Sequence, residues 1–313
     1  DGGSDGGADA ASGAGGDAGS DGGTGATGDA GGDAGGGGSE DGGGSCTKCT
    51  TYGAASASTN LGIAAVTELS GLAASHAHPG VFYAHNDSGD SARFFAFALD
   101  GAELGTFNVQ GLAARDWEDV DIGPCPTGTC LFFADFGDNA VARTDCRIIR
   151  VAEPSVSVGS PVGTVSVTYD RFDFTYPDGS HNAETLLVHP RTGDLYVVTK
   201  QSGTSQVFRM PSPGAPGASQ VLTAVGTLPL GGTTLATGGS IHPCGDRFLL
   251  RTYGTLLEYV ATGPFETAFT VAPRSVPVAG EPQGEAVTYL ADGRGYLTVS
   301  EGASPALNLA SCQ

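Results

Sequence analysis

The stretch Asn182-Ala-Glu-Thr-Leu-Leu-Val188, followed after a turn by Leu195-Tyr-Val-Val-Thr-Lys200, decides the fold of this chain. Each half is a short run of apolar and β-branched residues beside a polar one, which is typical of a buried strand. The proline and glycine between the halves indicate a turn, so the stretch predicts a β-hairpin. The pattern has four further copies: Glu68-Leu-Ser-Gly-Leu-Ala-Ala74 with Val81-Phe-Tyr-Ala-His-Asn-Asp87, Asp116-Trp-Glu-Asp-Val-Asp121 with Leu131-Phe-Phe-Ala-Asp135, Thr237-Gly-Gly-Ser-Ile241 with Arg247-Phe-Leu-Leu-Arg251, and Gln283-Gly-Glu-Ala-Val-Thr288 with Gly295-Tyr-Leu-Thr-Val-Ser-Glu301.

The copies recur at a regular interval. We aligned the copies on an apolar residue of the first strand and compared the residue two places before it. The equivalent positions are Ser70, Glu118, Glu184, Gly239 and Glu285. Successive positions lie 48, 66, 55 and 46 residues apart. A period near 50 residues is the length of a four-stranded propeller blade, and it argues against a pair of β-sandwiches. We therefore predict an all-β fold, a β-propeller of about five four-stranded blades. A sixth blade remains an alternative if the 66-residue interval contains a degenerate copy.

The outer strands of the blades are visible in the same way. Third and fourth strands are predicted at 93–99 and 104–109, at 147–151 and 164–169, and at 206–210 and 220–227. The fifth copy ends after its third strand, at 306–310, whereas the apolar segment 61–66 precedes the first copy. We expect this N-terminal segment to supply the missing strand and close the ring, which would place Cys312 near Cys46 or Cys49.

Composition divides the chain into three parts. Residues 1–45 contain 21 Gly, eight Asp and one Glu but no aromatic residue and no Val, Ile, Leu or Met, so they have no apolar surface to bury and predict a flexible tail. Residues 46–60 form a cysteine-containing linker and residues 61–313 the propeller domain. The tail resembles the spacers of bacterial surface lipoproteins and is typical of the segment that follows a processed signal peptide.

Charge and cysteine content limit the kinds of partner that the chain can bind and the cellular compartment in which it can fold. The net charge of −20 argues against nucleic acid as a partner. The sequence contains no run of 18 or more apolar residues, so no transmembrane span is predicted. Cys125 and Cys130 bracket a tight-turn sequence and predict a disulfide, which favours an extracellular or outer cell-surface location. Cys46-Thr-Lys-Cys49 has no second pair at zinc-site spacing, so disulfides are expected there too. The odd total of seven leaves one thiol free or bridged to another chain.

Acidic residues recur where the innermost strands begin. These strands line the central channel of a propeller, so their starts should converge on one face. A ring of carboxylates interspersed with hydroxyl and amide oxygens is suited to Ca²⁺, which takes six to eight oxygen ligands. The alternative is that the carboxylates cap strand ends and bond backbone amides of adjacent blades. The predicted metal ligands are Glu68, Asp116, Glu118, Glu184 and Glu285.

Polar clusters also follow the second strands, and we expect them at the same rim as a ligand-binding site. Some of them, such as Asn86-Asp87-Ser-Gly89, also match ordinary Asx turns. Trp117, the single tryptophan, is expected in the core between blades, with a ligand-stacking platform as the alternative. The predicted ligand-binding residues are His85, Asn86, Asp87, Asp135, Lys200, Arg251 and Glu301.

The segments Glu68-Leu-Ser-Gly-Leu-Ala73 and Gly284-Glu-Ala-Val-Thr-Tyr289 resemble those of the phytase-like and esterase-like β-propeller superfamily. The resemblance covers roughly residues 61–311 and lies in generic blade motifs. The superfamily includes calcium-dependent phosphoester hydrolases whose acidic channel face holds the metals. The resemblance therefore implies metal-holding roles for Glu118, Glu184 and Glu285. The chain has few lysines and arginines to bind phosphate, and it has five recognisable blades where phytases have six.

Three functions are consistent with these patterns. The first is a secreted or cell-surface module that binds Ca²⁺ and a small or polymeric extracellular ligand. The second is a metal-dependent phosphoesterase, since a bound cation can polarise a phosphoryl group. The third is a subunit of an extracellular filament that assembles through the tail and the unpaired cysteine. Neither the H-E-x-x-H nor the G-x-S-x-G motif occurs, so zinc-protease and serine-hydrolase chemistry lack support, and the sequence leaves open whether the chain is an enzyme.

Overall fold

The computed structural model describes residues 46–217 and 219–313, and the tail predicted at residues 1–45 lies outside these described residues. The chain forms a β-propeller of five blades, each a four-stranded antiparallel unit, which confirms the predicted fold. Blade 1 consists of β2 (Leu69–Ala74), β3 (Val81–Asn86), β4 (Arg93–Ala98) and β5 (Glu103–Val109), and blade 2 consists of β6 (Trp117–Pro124), β7 (Thr129–Asp135), β8 (Arg147–Ala152) and β10 (Asp170–Thr175). Blade 3 consists of β11 (Ala183–Val188), β12 (Leu195–Thr199), β13 (Gly203–Met210) and β15 (Thr223–Gly231), and blade 4 consists of β16 (Ala236–Ile241), β17 (Arg247–Thr252), β18 (Leu256–Val260) and β19 (Arg274–Val276). Blade 5 consists of β20 (Gly284–Tyr289), β21 (Gly295–Ser300), β22 (Ala306–Ser311) and the N-terminal strand β1 (Ser56–Asn60).

The five innermost strands, β2, β6, β11, β16 and β20, surround the central axis, and β20 lies next to β2. These strands are buried over nearly their whole length because a neighbouring blade covers each face. This explains why their sequences show no regular alternation of apolar and polar residues. Trp117 packs in the core between blades 1 and 2, with its ring stacked on Phe133 at 4.7 Å.

An N-terminal strand closes the ring, as predicted, but it is not the apolar segment 61–66. The closing strand is the polar β1, in which Ser56 pairs with Leu309 and Asn60 with Ala306 of β22. Residues 61–66 form no strand, and Leu61, Ile63 and Val66 instead fill the core between blades 1 and 5. Hydrophobicity identified the wrong segment because β1 is an edge strand whose side chains are largely exposed.

The long interval in blade 2 contains an excursion to blade 1 and not a sixth blade. The strand predicted at 164–169 as the outer strand of blade 2 is wrong. β9 (Thr164–Val167) instead runs parallel to β5 as a fifth strand of the blade 1 sheet, and β10 is the outer strand of blade 2. β14 (Gln220–Val221) likewise leaves blade 3 to pair with β10. These strands link neighbouring sheets, which a repeat-based alignment cannot detect.

Three disulfides stabilise the ring. Cys125–Cys130 closes the predicted hairpin loop, Cys49–Cys312 joins the N-terminal segment to the end of blade 5, and Cys46–Cys244 joins it to blade 4. The remaining cysteine, Cys146, is buried beside Phe136, and burial raises the pKa of its thiol to about 11. It therefore offers no accessible thiol for a bridge to another chain.

The described residues include a single 3-10 helix, Phe265–Thr270, which packs against both blade 3 and blade 4. No helix in the described part of the chain has the length and apolar character needed to cross a membrane.

Candidate functional site

A β-bulge repeats at the start of every innermost strand. In blade 3, Ala183 pairs with Thr199 and Thr185 with Val198, so Glu184 between them has no partner in the ladder. A bulged residue escapes the alternation of the sheet and can turn its side chain toward a site at the strand end. The other four blades show the same irregularity. The bulged positions are Ser70, Glu118, Glu184, Thr237 and Glu285.

The sequence alignment placed four of these five residues correctly. In blade 4 it chose Gly239, whereas the structure places Thr237 at the bulge. The alignment relied on an apolar residue two places later, and in blade 4 that place is a glycine, so the match moved to Ile241. Thr237 and Ser70 turn their hydroxyls sideways and donate to the carbonyl oxygens of Gly284 and Glu118 in the next blade.

A second ring of residues lies immediately after the second strand of each blade. Its positions are fixed by the pairing of the two inner strands, in which Ala183 faces Thr199 and Gly284 faces Ser300. Four members carry polar side chains, whereas Phe136 of blade 2 packs into the core against Phe174. The members of this second ring are Asp87, Phe136, Lys200, Tyr253 and Glu301.

The two rings enclose a cavity of about 130 Å³ at the end of the channel where the innermost strands begin. Six carboxylates line it, and Lys200 is the basic residue among the described lining residues. Such a cavity is suited to a small cation rather than to an apolar or anionic molecule. The lining residues are Ser70, Asp87, Ser88, Asp116, Glu118, Asn139, Glu184, Lys200, Tyr253, Gln283, Glu285 and Glu301.

Three of the carboxylates form a close group, which we call the carboxylate cluster: Asp87, Asp116 and Glu118. One oxygen of each lies within 4.8 Å of an oxygen of the others. Within residues 46–217 and 219–313, no lysine or arginine forms an ion pair with any of the three, since the nearby basic groups are paired elsewhere. The cluster therefore concentrates negative charge without a counter-ion from the described chain.

Gly137 allows the cluster to form. A Cβ atom at this position would overlap the Glu118 carboxylate and lie 2.6 Å from Oδ2 of Asp116. The amide of Gly137 also donates to the carbonyl oxygen of Asp116 at 3.3 Å. The absence of a side chain thus lets the loop after β7 approach both acids closely.

Lys200 lies on the other side of the cavity, in contact with Glu184. The ammonium forms an ion pair with Oε1 of Glu184 and lies 5.0 Å from the centre of the Tyr253 ring. Beyond them, Nε2 of Gln283 donates to Glu285 at 3.1 Å and also contacts Glu301. This half of the cavity therefore has internal partners that the carboxylate cluster lacks.

Burial and mutual repulsion disfavour the ionised carboxylates. Burial, followed by the charges of Glu184, Asp87 and Asp116, raises the pKa of Glu118 well above its usual value. Burial and the charge of Asp87 likewise raise the pKa of Asp116. A bound cation would offset both effects, because it favours the ionised form of each carboxylate.

The acids near Lys200 behave similarly. Burial raises the pKa of Glu184 to about 7, although the charge of Lys200 opposes the shift. Burial and the charge of Glu184 raise the pKa of Glu285 to about 8. Burial lowers the pKa of Lys200, but the charge of Glu184 outweighs this and raises it overall. Lys200 therefore stays charged throughout the range in which the carboxylates titrate.

The structure brings four of the five predicted metal ligands to the cavity: Asp116, Glu118, Glu184 and Glu285. Glu68 does not join them. It precedes β2, its side chain is exposed, and its backbone amide and carbonyl bond Asn86 and Asp87.

Of the predicted ligand-binding residues, Asp87, Lys200 and Glu301 line the cavity, and the others have structural partners. His85 is buried between the rings of Trp117 and Phe133. Asn86 uses its side chain to bond the amides of residues 67 and 68 and the carbonyl of residue 65.

Asp135 and Arg251 also point away from the cavity. Asp135 is fully buried, and its carboxylate binds Arg143 at 2.6 Å and Arg147 at 2.7 Å. Arg251 is paired with Glu281 at 2.7 Å. Asp135 lies one residue before the second ring, so the alternation of side chains along β7 directs it to the other face. Arg251 lies two residues before the ring and is held away from the cavity by Glu281 and the carbonyl oxygen of Thr255.

Two acids that the sequence did not single out perform the amide-bonding role considered for the whole ring. Asp119 accepts from the amides of Leu186 at 3.0 Å and Gly239 at 3.3 Å, and Asp121 accepts from Val188 at 2.7 Å. Burial raises the pKa of Asp119 well above its usual value and that of Asp121 to about 8. The motif Asp116–Asp121 therefore contributes both to the cavity and to the contacts between blades.

Sequence reasoning missed Ser88 and Tyr253 as cavity residues. Tyr253 follows β17 just as Lys200 follows β12, so extending the comparison of second-strand ends by two residues would have found it. Ser88 was assigned to an Asx turn, and its amide does contact Oδ1 of Asp87.

A larger open depression of about 400 Å³ adjoins the cavity. It shares Ser88, Asp116 and Asn139 with the cavity and adds Arg115 and Arg143. A molecule bound there would lie next to the carboxylate cluster.

Comparisons with solved structures give weak similarities. A chain in the crystal structure of a nidogen/laminin complex matches with a TM-score of 0.42 and 16% identity, over 75% of this chain and 73% of that chain. A putative 6-phosphogluconolactonase from Bacteroides uniformis matches with a TM-score of 0.40 and 13% identity, over 80% of this chain and 69% of that chain. No protein-family model and no curated protein matches the sequence. The assignment of five blades therefore stands on the strand topology itself.

Proposed function

We propose that this chain is a secreted or cell-surface binding module that holds one Ca²⁺ at the carboxylate cluster. The observation that carries the proposal is the approach of three carboxylate oxygens to within 4.8 Å without a basic partner among the described residues. Ligand oxygens lie about 2.3–2.6 Å from Ca²⁺, so oxygens on opposite sides of the ion are about 5 Å apart. The spacing of the cluster fits one such ion.

The donor chemistry favours calcium over other common cations. The cavity offers carboxylate, hydroxyl and amide oxygens and no cysteine or histidine in its described lining, whereas zinc prefers nitrogen and sulfur. Magnesium requires near-ideal octahedral geometry, while calcium accepts six to eight ligands in loose arrangements. Ser70, Ser88 and Asn139 provide further oxygens beside the cluster.

The surroundings support a binding role outside the cell. Three disulfides favour an oxidising compartment. The adjoining depression provides room for a small molecule or part of a polymer next to the ion. The concave cavity at the end of the channel, with its convergent polar groups, supports a role as a binding module.

Thermal unfolding of the full chain with calcium and with a chelator tests this proposal. We expect calcium to raise the melting temperature and magnesium to have a smaller effect, because a ligand that binds the folded state stabilises it by mass action. The variant Glu118→Gln should lose the calcium response. An equal response in Glu118→Gln, or no response in the unaltered chain, would contradict the proposal.

A metal-assisted phosphoesterase is the second candidate, and the depression is the observation that favours it. Arg115 and Arg143 lie there beside Asp116, so an anionic group could approach a bound cation. However, both arginines are paired with Asp145, and Lys200 is paired with Glu184. Calcium-dependent turnover of a generic phosphoester would support this function, and turnover that persists in the double variant Glu118→Ala, Glu184→Ala would eliminate it.

A further inference from the structure

We infer that Arg143 is a positioning residue for the calcium site, because its buried guanidinium holds the loop after β7 against Asp116 and Glu118. This inference rests on the proposed function and concerns how the acids of the carboxylate cluster are kept together. We call residues 136–143 the cluster loop. The side chain of Arg143 is 3% exposed, so it acts through this loop rather than by contacting a ligand itself.

The guanidinium fixes the first part of the cluster loop. Nη1 donates to the carbonyl oxygen of Gly137 at 3.1 Å, and Nη2 donates to that of Asp135 at 2.9 Å. Nη2 also pairs with Oδ1 of Asp135 at 2.6 Å. The donors of a guanidinium lie in one plane with fixed directions, so these contacts define the path of the backbone from Asp135 to Gly137.

Asp138 ties the rest of the loop to the same arginine. Its carboxylate accepts the backbone amides of Ala142 at 3.0 Å and Arg143 at 2.7 Å. Its own amide donates to Oδ1 of Asn182 at 3.0 Å. The backbone of Arg143 is therefore held at a set position, from which its side chain reaches back to Gly137.

The loop in this conformation contacts two of the three clustered acids. The amide of Gly137 donates to the carbonyl oxygen of Asp116 at 3.3 Å. A Cβ atom at Gly137 would lie 2.6 Å from Oδ2 of Asp116 and would overlap Oε1 of Glu118, so the backbone of the loop lies directly against both carboxylates. Asp135 makes a further link, because its Oδ1 accepts the backbone amide of Asp116 at 3.2 Å as well as binding Arg143.

The charge of Arg143 also favours the arrangement that binds calcium. Burial and the charge of Asp87 raise the pKa of Asp116, and the charge of Arg143 opposes them. Without the arginine, the clustered carboxylates could move apart to relieve their repulsion, and calcium would have to bring them together again. A site that is not preorganised binds its ion more weakly.

Arg150 provides a matched control in the same blade. Its side chain is 6% exposed, and its guanidinium pairs with Asp170 at 2.7 Å and donates to the carbonyl oxygen of Pro213 at 3.0 Å. These partners lie outside the cluster loop and outside the lining of the cavity. Arg150→Gln therefore removes a buried, paired arginine, as Arg143→Gln does, but leaves the cluster loop untouched.

The first test is the calcium affinity of the full chain, measured by titration calorimetry. We expect Arg143→Gln to bind one ion at least about tenfold more weakly than the unaltered chain. Arg143→Lys should show most of this loss, because an ammonium keeps the charge but does not reproduce the planar fork of the guanidinium. Arg150→Gln should keep the affinity of the unaltered chain.

Hydrogen–deuterium exchange provides a readout that a general loss of stability would not reproduce. With a chelator present, the amides of the cluster loop should be protected in the unaltered chain and in Arg150→Gln, because the loop is already in place. In Arg143→Gln the same amides should exchange faster, and saturating calcium should restore their protection.

The outcomes separate this inference from the proposed function. Unchanged affinity in Arg143→Gln, or equal losses in Arg143→Gln and Arg150→Gln, would overturn the positioning role and leave the calcium site standing. Unchanged affinity in Arg143→Lys would show that charge alone matters and would overturn it equally. No binding by the unaltered chain would overturn the calcium site itself. If Arg143→Gln fails to fold, Arg143→Lys decides the matter by the same criteria.

Discussion

At the scale of single residues, the cavity depends on acids held closer together than their charges favour. Glu118 is 5% exposed, and it shares the carboxylate cluster with Asp87 and Asp116. Buried ionised groups without partners are costly, so an arrangement of this kind lowers stability in order to bind something. Two consequences can be measured on individual side chains.

The first concerns pH. With a chelator present, the folded state keeps protons on Glu184, whose pKa is about 7, and on Glu285, whose pKa is about 8. In the unfolded chain both groups titrate near 4.5 and have already lost their protons. The folded state therefore binds more protons, and these two groups alone should lower the free energy of unfolding by about 1–2 kcal/mol between pH 7 and 8.5.

Urea unfolding at a series of pH values measures this slope. Burial lowers the pKa of His189 and His242, which gives the opposite slope, but only below about pH 6.5, outside the chosen range. Asp121, whose pKa is also about 8, adds a decrease of similar size, so Glu285→Gln should remove a part of the decrease and leave the rest. Saturating calcium should reduce the decrease by favouring the ionised acids of the cavity. A decrease that is unchanged by both would show that other groups are responsible.

The second consequence concerns Gly137. Gly137→Ala places a methyl group against Glu118 and Asp116, and we expect calcium affinity to fall at least about tenfold, equivalent to about 1.4 kcal/mol. Gly254→Ala is the control. Gly254 follows the cavity residue Tyr253 in the chain, and a Cβ atom added at Gly254 would meet no atom within 4 Å. Calcium titration of both variants measures the difference. Equal affinities would mean that the closeness of the two acids does not matter for binding.

At the scale of strands, the innermost β-strands are joined by a carboxylate as well as by apolar packing. Asp119 of β6 accepts amide protons from Leu186 of β11 and Gly239 of β16. Asp119→Ala leaves both buried amides without this partner, and we expect a loss of about 2–4 kcal/mol in the free energy of unfolding. Asp100→Ala, in an exposed hairpin turn where Asp100 bonds Ala102, should cost less than about 1 kcal/mol.

Urea denaturation of the two aspartate variants tests this contact. A loss in Asp119→Ala no larger than that in Asp100→Ala would show that the carboxylate adds nothing to the ring of inner strands.

Strands could be predicted from sequence where burial is complete. All five inner hairpins are correct, and both strands of each are buried by the neighbouring blades over nearly their whole length. The errors lie at the outer edges, where β1 is polar and β9 pairs with a different blade. Pairing at an edge depends on which neighbour lies within reach, and the local sequence does not encode this.

The bulges explain why the site was only partly predicted. Glu118, Glu184 and Glu285 share a position in the repeat, so their convergence followed from the fold. Asp135 and Arg251 are equally polar, but they lie before the second ring. They form ion pairs with Arg143 and Glu281, respectively. The direction of a side chain next to a bulge is a matter of register, and sequence alone gives register to within one or two residues.

At the scale of the whole molecule, the ring is closed by strand β1 and by two disulfides that span most of the chain. Cys46–Cys244 and Cys49–Cys312 close loops of 198 and 263 residues, whereas Cys125–Cys130 closes one of five. The entropy removed from the unfolded chain grows with loop length, to more than about 4 kcal/mol for the long loops and about 2 kcal/mol for the short one.

We therefore expect Cys49→Ser with Cys312→Ser to destabilise the chain more than Cys125→Ser with Cys130→Ser. Urea denaturation under non-reducing conditions compares the two pairs. A larger effect of the short loop would mean that blade 5 holds the ring closed without its disulfide.

The central claim is that the acidic cavity binds a calcium ion, and titration calorimetry of the full chain at pH 8 tests it most directly. The account predicts saturable binding of one Ca²⁺ that is weakened at least about tenfold by Glu118→Gln, equivalent to about 1.4 kcal/mol. It also predicts that binding is unchanged in Glu103→Gln, which removes the same charge from an exposed position outside the cavity. No binding by the unaltered chain, or equal binding by Glu118→Gln, would contradict it.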